Sequence, residues 1–361
     1  MAINRHSLEA VCQVEVPGGQ IEARLYCPHD GKAASALPLV VTHGGPGGSS
    51  VGLYDALHPL ADQRTVVFYD QLGSHGSPAK LSEEQMCLDR FAVEPLALME
   101  TLGLKRATLL GHSWGGSVVT AFALNNPSRV GGLVLSSPLL STQRWIEDCN
   151  GLLKAMPQHE LSGTSLEDAF NRRHFCRTNP PPATLAREQA RSNQALYEQM
   201  WGPSEFSHQG LLGDLDLLPS LHRIHAPTLL LCGEHDTATP TTMEEAQRLI
   251  GKNASVAVLP DAGHKSYIDQ TESYINVVQA FLREVDAVTQ QTRQTNPTEA
   301  DGSGRDWVFP LRSQPAFPGA AWTPARLAFS SQRQDGPESR RKQRDTALPS
   351  PATEGPLPKP A

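Results

Sequence analysis

The sequence lacks a C-x-x-C cysteine pair, a net positive charge, an apolar leader and any run long enough to span a membrane. Each absence removes a class of protein. The six cysteines (Cys12, Cys27, Cys87, Cys149, Cys176 and Cys232) are scattered, whereas disulfide frameworks belong to short secreted chains, so buried free thiols are the expectation. The formal net charge of −7 argues against a nucleic-acid partner, which needs a basic face. Residues 1–11 contain no apolar h-region, and no stretch reaches the ~20 apolar residues of a membrane span. A soluble cytoplasmic protein without a membrane partner is expected. The oligomeric state is left open. A length of 361 residues is enough for one large α/β domain or two ordinary ones.

What the chain does contain is a rhythm of short apolar runs alternating with helix-like segments. Two β-like stretches, 10–16 and 20–27, flank a Pro17-Gly18-Gly19 turn. Further strands are expected at 37–42, 65–69, 107–110, 132–135, 227–232 and 254–259. Ser82-Glu83-Glu84-Gln85 fits a capping box opening a helix to about Leu102, and Thr241-Thr242-Met243-Glu244 fits a second. A last helix is expected over 265–285. Strands alternating with helices imply a mostly parallel sheet covered by helices on both faces. From about Leu140 to Leu221 the rhythm stops and the chain turns polar and helix-like. The simplest organisation is an α/β core at 1–139 and 222–287, a helical cap at 140–221, and a disordered tail at 288–361 rich in Pro, Gly, Ser, Gln and Arg. Arg340-Arg341-Lys342-Gln343-Arg344 reads as a solvated basic run in that tail rather than a polyanion-binding signal.

Residues 111–116 read Gly-His-Ser-Trp-Gly-Gly, between the apolar run 107–110 and a buried helix-like segment at 117–124. This is the G-x-S-x-G nucleophile elbow in its strand–turn–helix context. A serine hydroxyl is a poor nucleophile at neutral pH, so Ser113 needs a base, a residue orienting that base, and donors for an oxyanion. In this arrangement the order along the chain is serine, acid, histidine. Strand 227–232 runs into Gly233-Glu234-His235-Asp236, and strand 254–259 into Gly263-His264. Asp236 is therefore the expected orienter and His264 the expected base. A loop histidine alone would mean little in a chain with thirteen; three aligned elements give it weight. The oxyanion donors are expected from the N–H groups of Trp114 and of Gly45 in His43-Gly44-Gly45-Pro46-Gly47-Gly48. Asp70-Gln71-Leu72-Gly73 reads as a loop-ordering segment using side-chain to backbone bonds. Glu234-His235-Asp236 and His222-x-x-His225 complete no metal set of plausible spacing; no metal or cofactor is expected.

These segments together resemble the proline iminopeptidase (prolyl aminopeptidase) family of α/β-hydrolases. The matching motifs are His43-Gly44-Gly45-Pro46-Gly47, Tyr69-Asp70-Gln71-Leu72-Gly73-Ser74-His75-Gly76-Ser77, Gly111-His112-Ser113-Trp114-Gly115-Gly116, Gly233-Glu234-His235-Asp236 and Gly263-His264, spread over residues 10–285. Within the cap, Trp201-Gly202-Pro203-Ser204-Glu205-Phe206 resembles the family's Gly-Pro-x-Glu-Phe segment. The resemblance implies an α/β-hydrolase fold and a serine aminopeptidase releasing N-terminal proline, or another small residue, from short peptides. It assigns Glu205 to the substrate's free α-amino group, a sensible role because a protonated amine entering a lidded pocket needs a carboxylate. One departure stands out. Some relatives carry a second acid directly after the catalytic Asp, where this chain has Thr237; Asp214 or Asp216 are candidate replacements. An amidase or esterase on the same scaffold, acting on an amino-acid amide for instance, is the alternative. A non-catalytic binding protein that keeps the pocket is a second alternative.

Overall fold

Five consecutive strands of this chain are buried along their whole length, a pattern that suits a sheet covered on both faces. The computed structural model describes residues 8–28 and 36–295. Its strands are β1 (Leu8–Val16), β2 (Gly19–Tyr26), β3 (Leu39–Thr42), β4 (Val66–Tyr69), β5 (Ala107–His112), β6 (Val130–Ser136), β7 (Thr228–Gly233) and β8 (Ala254–Leu259). They form one sheet in the order β1-β2-β4-β3-β5-β6-β7-β8. β1 and β2 are a hairpin, β2 pairs antiparallel with β4, and the remaining pairs are parallel. This is the α/β-hydrolase fold expected from the sequence.

Alternate residues of each strand point to opposite faces. Val40, Leu109, Leu133 and Leu230 pack into one core; Val41, Leu110, Val134 and Leu231 pack into the other. The helices are α1 (Val51–Leu57), α2 (Leu88–Phe91), α3 (Glu94–Thr101), α4 (Trp114–Asn125), α5 (Thr142–Lys154), α6 (Leu166–Phe170), α7 (Ala183–Ala190), α8 (Gln194–Met200), α9 (Pro240–Ile250), α10 (Ser266–Asp269) and α11 (Thr271–Thr295). Phe91, Leu98, Val118 and Phe122 from α2, α3 and α4 cover the first face. Leu53 and Leu57 of α1 with Tyr274, Val278 and Leu282 of α11 cover the second. Each fully buried Leu or Val is worth roughly 1.5–3 kcal/mol. Between β6 and β7 lies an insertion carrying α5 to α8.

The structure revises several expected boundaries. The helix expected over 82–102 is a 3₁₀ turn at Glu83–Gln85 followed by α2 and α3. Gln85 Oε1 does accept from the Ser82 N–H at 3.0 Å, as a capping box requires. The break lies ahead of Pro95, which has no N–H to continue a helix. It is also held by Arg90, which donates to the Pro17 carbonyl and to the buried Glu94. The cap of α9 is Thr239, whose hydroxyl accepts from the Thr242 N–H, with Pro240 next; the expected Thr241 box lies two residues too late. The last helix is split at Gln270 and runs on to Thr295. Residues 288–295, expected in the disordered tail, are thus helical, and 296–361 lie outside the described residues, the Arg340–Arg344 run among them. No cysteine is in a disulfide, but only Cys149 and Cys232 are buried; Cys87 is exposed and the other three are half-buried. Among the described residues, no helix is long and apolar enough to cross a membrane.

Strand register sets the site. Thr42 pairs with Tyr69 and with Gly111, His112 with Ser136, and Gly233 with Leu259. The carboxyl ends of the parallel strands therefore finish at one edge. After β3 the chain steps outward to β4 and then returns to place β5 on the other side of β3. Ligands gather at such a switch point.

Candidate active site

Ser113 sits directly between β5 and α4 with φ 56° and ψ −121°. A non-glycine residue there costs on the order of 1–3 kcal/mol unless its surroundings enforce it. They do. The Ser113 N–H donates to the Ser136 carbonyl at 3.0 Å, and the Ser113 carbonyl accepts from Leu139 and Gly116. A Cβ on Gly111 would overlap the Gly115 carbonyl, and one on Gly115 would overlap the carbonyls of Thr42 and His43. The two glycines of the motif are there for closeness of backbone.

Asp236 is fully buried and its carboxylate is saturated. Oδ1 accepts from His264 Nδ1 at 2.9 Å, from the Ala238 N–H at 2.9 Å and from Thr237 Oγ1 at 3.4 Å; Oδ2 accepts from Ser137 Oγ at 2.6 Å and from the Gly233 N–H at 3.2 Å. With Nδ1–H donated to Asp236, Nε2 of His264 is the nitrogen left to accept a proton. The His264 ring is fixed by aromatic neighbours: Trp145 at 5.3 Å, Phe175 at 4.8 Å and His112 at 4.8 Å between centroids. Burial, with His264 and Lys265 close by, pushes the His112 imidazole well below its usual range, so it stands neutral beside His264. The His264 loop is also tied to the insertion: the N–H groups of His264 and Lys265 donate to the His174 and Phe175 carbonyls at 2.7 Å each.

The glycine loop after β3 is braced by the Asp70-Gln71 segment in the way its sequence anticipates. Asp70 Oδ1 accepts from the Ser50 N–H at 2.8 Å. Gln71 Nε2 donates to the His43 carbonyl at 2.7 Å, while Gln71 Oε1 accepts from Trp114 Nε1 at 2.9 Å. One side chain thus holds both segments from which oxyanion donors are expected. The Trp114 N–H is at a helix start, where amides lack an intrahelical acceptor and the dipole favours negative charge.

Ser113, His264, Gly45, Trp114 and Glu205 all line one cavity of about 220 Å³. Leu53, Leu139, Phe175, Trp145 and Trp201 give it apolar walls. Glu205 comes from the insertion. Tyr197 OH donates to Glu205 Oε1 and Trp145 Nε1 donates to Oε2 at 3.2 Å. Burial raises the Glu205 carboxyl above the usual range, although Tyr197, His264 and Trp145 pull the other way.

The structure does not bring the other candidate acids to the cavity. Asp214 and Asp216 are exposed and absent from its lining. Thr237 is buried against the dyad, with Oγ1 at 3.3 Å from His264 Nδ1. Sequence reasoning missed Glu188 of α7, which lines the cavity and accepts from Lys265 Nζ at 2.6 Å and Tyr267 OH at 2.8 Å. It also missed Ser137, for which the only signal was its place at a strand end. Among the described residues, Glu234 and His235 after β7 and Asp261 after β8 place ligand atoms within 4.8 Å of one another; Asp236 instead points inward to His264.

Comparison with known proteins agrees with this geometry. The alpha/beta hydrolase fold family model matches residues 38–271. The chain is 33% identical over 288 residues to the proline iminopeptidase of Heyndrickxia coagulans, covering 75% of this chain and 98% of that relative. It is 30% identical over 276 residues to that of Lactobacillus helveticus, covering 71% and 93%. The crystal structure of the Mycobacterium smegmatis proline iminopeptidase superposes with a TM-score of 0.71 at 29% identity, covering 78% of this chain and all (100%) of that one. Fold, strand-end motifs and relatives of nearly full length all agree: the chain belongs to the proline iminopeptidase family of α/β-hydrolases and is a serine hydrolase.

Proposed function

We propose that this enzyme is an aminopeptidase that releases an N-terminal proline, or another small N-terminal residue, from short peptides. The observation that carries the reading is Glu205, a carboxylate of the insertion that faces the same cavity as Ser113. Ser113 attacks the scissile carbonyl while His264 takes its proton, with Asp236 holding the imidazole and stabilising its cation. The N–H groups of Gly45 and Trp114 hold the oxyanion. His264 protonates the leaving amine and then activates the water that frees the acyl group. No cofactor or metal enters these steps. Glu205 anchors the substrate ammonium, and the apolar walls take the proline ring. The β6–β7 insertion serves as a cap over the strand ends, and the small cavity restricts the substrate to a short peptide or amino-acid amide with a free N-terminus. A cytoplasmic location is part of the same proposal.

The test is hydrolysis of proline-β-naphthylamide against N-acetylproline-β-naphthylamide and p-nitrophenyl acetate. A strong preference for the free amine is expected. Equal rates on blocked and free amine would replace the aminopeptidase with an amidase or esterase. No labelling of Ser113 by a fluorophosphonate would replace it with a binding protein.

A further inference from the structure

The cavity holds a second set of charges that the steps above do not use. Lys265 follows His264 directly and lines the cavity, as do Glu188 and Tyr267. Lys265 Nζ donates to Glu188 Oε2 at 2.6 Å and to Tyr267 OH at 3.2 Å; Tyr267 OH donates to Glu188 Oε1 at 2.8 Å. An ammonium has three protons to give, so the two contacts leave one N–H for an acceptor in the cavity. The Lys265 side chain keeps 21% of its surface exposed, more than the 9% of Glu188.

The two charged sets flank His264 on different contacts. Trp145, which donates to Glu205, meets the His264 ring edge-on. His112 meets the same ring, and Tyr267 meets His112. Glu205 is thus reached from the base through Trp145, and the Lys265–Glu188 pair through His112 and Tyr267. A bound peptide has the same polarity, with an ammonium before the scissile carbonyl and, in a dipeptide, a carboxylate after it. Two extended residues span at most about 7 Å, short enough for a small cavity.

We propose that Lys265 binds the free carboxylate of the leaving amino acid, which makes dipeptides with an unblocked C-terminus the preferred substrates. Glu188 occupies the cation in the empty enzyme and competes with that carboxylate. The proposal rests on the aminopeptidase reading for the direction in which the peptide lies.

The experiment compares kcat/KM for prolylglycine and prolylglycinamide in the full-length wild type, Lys265→Met, Lys265→Arg and Glu188→Gln. Comparing the acid-to-amide ratio between enzymes cancels the intrinsic difference between the two leaving groups. Lys265→Met should lower the ratio about tenfold or more, mostly through KM, as expected for loss of a charge-assisted hydrogen bond. Lys265→Arg should restore most of it. Glu188→Gln should raise the ratio, because the competing carboxylate is gone. A pair that merely fastens α7 to the core predicts the same change in Lys265→Met and Glu188→Gln, and that result overturns the proposal. If Lys265→Met does not fold, an unchanged or lower ratio in Glu188→Gln overturns it alone. N-acetylprolylglycine separates the two readings: its cleavage at the rate of prolylglycine defeats the aminopeptidase, while the ratio still reports on Lys265.

Discussion

The strand-end half of the site and the insertion half are built on different principles. Ser113, Asp236 and His264 follow strands whose register is fixed by ladder pairing. Their placement leans on backbone: a strained elbow at Ser113, the Gly233 and Ala238 amides on Asp236, and two amides of the His264 loop. Glu205 and Glu188 come from short helices and turns with mixed exposure. They are placed by other side chains, namely Tyr197, Trp145, Lys265 and Tyr267. On the proposed mechanism, the difference separates chemistry from selection. A scaffold fixed by backbone holds reacting groups to a fraction of an ångström, as acyl transfer requires. A wall fixed by side chains changes with few substitutions, which is how one fold serves many substrates.

Substitutions should therefore divide by half. The largest effect belongs to Ser113→Ala, which should lower kcat about 10⁴- to 10⁶-fold on every substrate and abolish fluorophosphonate labelling. Asp236→Asn should follow at about 10³- to 10⁴-fold, again on free-amine substrates and neutral esters alike. Selectivity between substrates in either variant would break the division.

Glu205→Gln should act on selection. Loss of a charged partner predicts a rise of about ten- to hundredfold in KM for free-amine substrates, with little change for p-nitrophenyl acetate. A matching loss on the ester would place Glu205 with the reacting groups. The same variant has a stability signature. Because the folded-state Glu205 carboxyl is raised above its unfolded value by burial, the folded state holds the extra proton between those values. Stability is then lost as pH rises through that window, while the ionised form that the proposed ammonium binding requires is gained. Thermal melts across pH should show Glu205→Gln more stable than wild type at neutral pH, with the difference shrinking in acid.

The smallest expected effects sharpen the backbone half. Gln71→Leu unties Trp114 from His43 and should cost about ten- to hundredfold in kcat through a loosened oxyanion loop, with KM nearly constant. Ser137→Ala removes one of five donors to Asp236 and should cost several-fold, read as a shift in the pH profile of kcat/KM.

The sequence by itself determined the fold class and placed each strand to within about two residues. Runs such as Leu39–Thr42 and Thr228–Cys232 are legible because sheet burial imposes a pattern on consecutive residues. Gly111-His112-Ser113-Trp114-Gly115 is legible because steric closeness around the elbow leaves so few residue types. Tertiary structure alone decided the wall that faces Ser113. Glu188 looks like any solvated helix carboxylate until Lys265 and Tyr267, distant in sequence, close around it. Pro17, Pro95 and Glu94 broke a helix that local propensity favours, and Asp269, beside the break at Gln270, ties α10 to the insertion by accepting from the Arg177 and Thr178 amides. Local pattern records what a residue's own neighbours demand; the substrate pocket is a meeting of segments far apart in the chain, and only the folded chain holds that information.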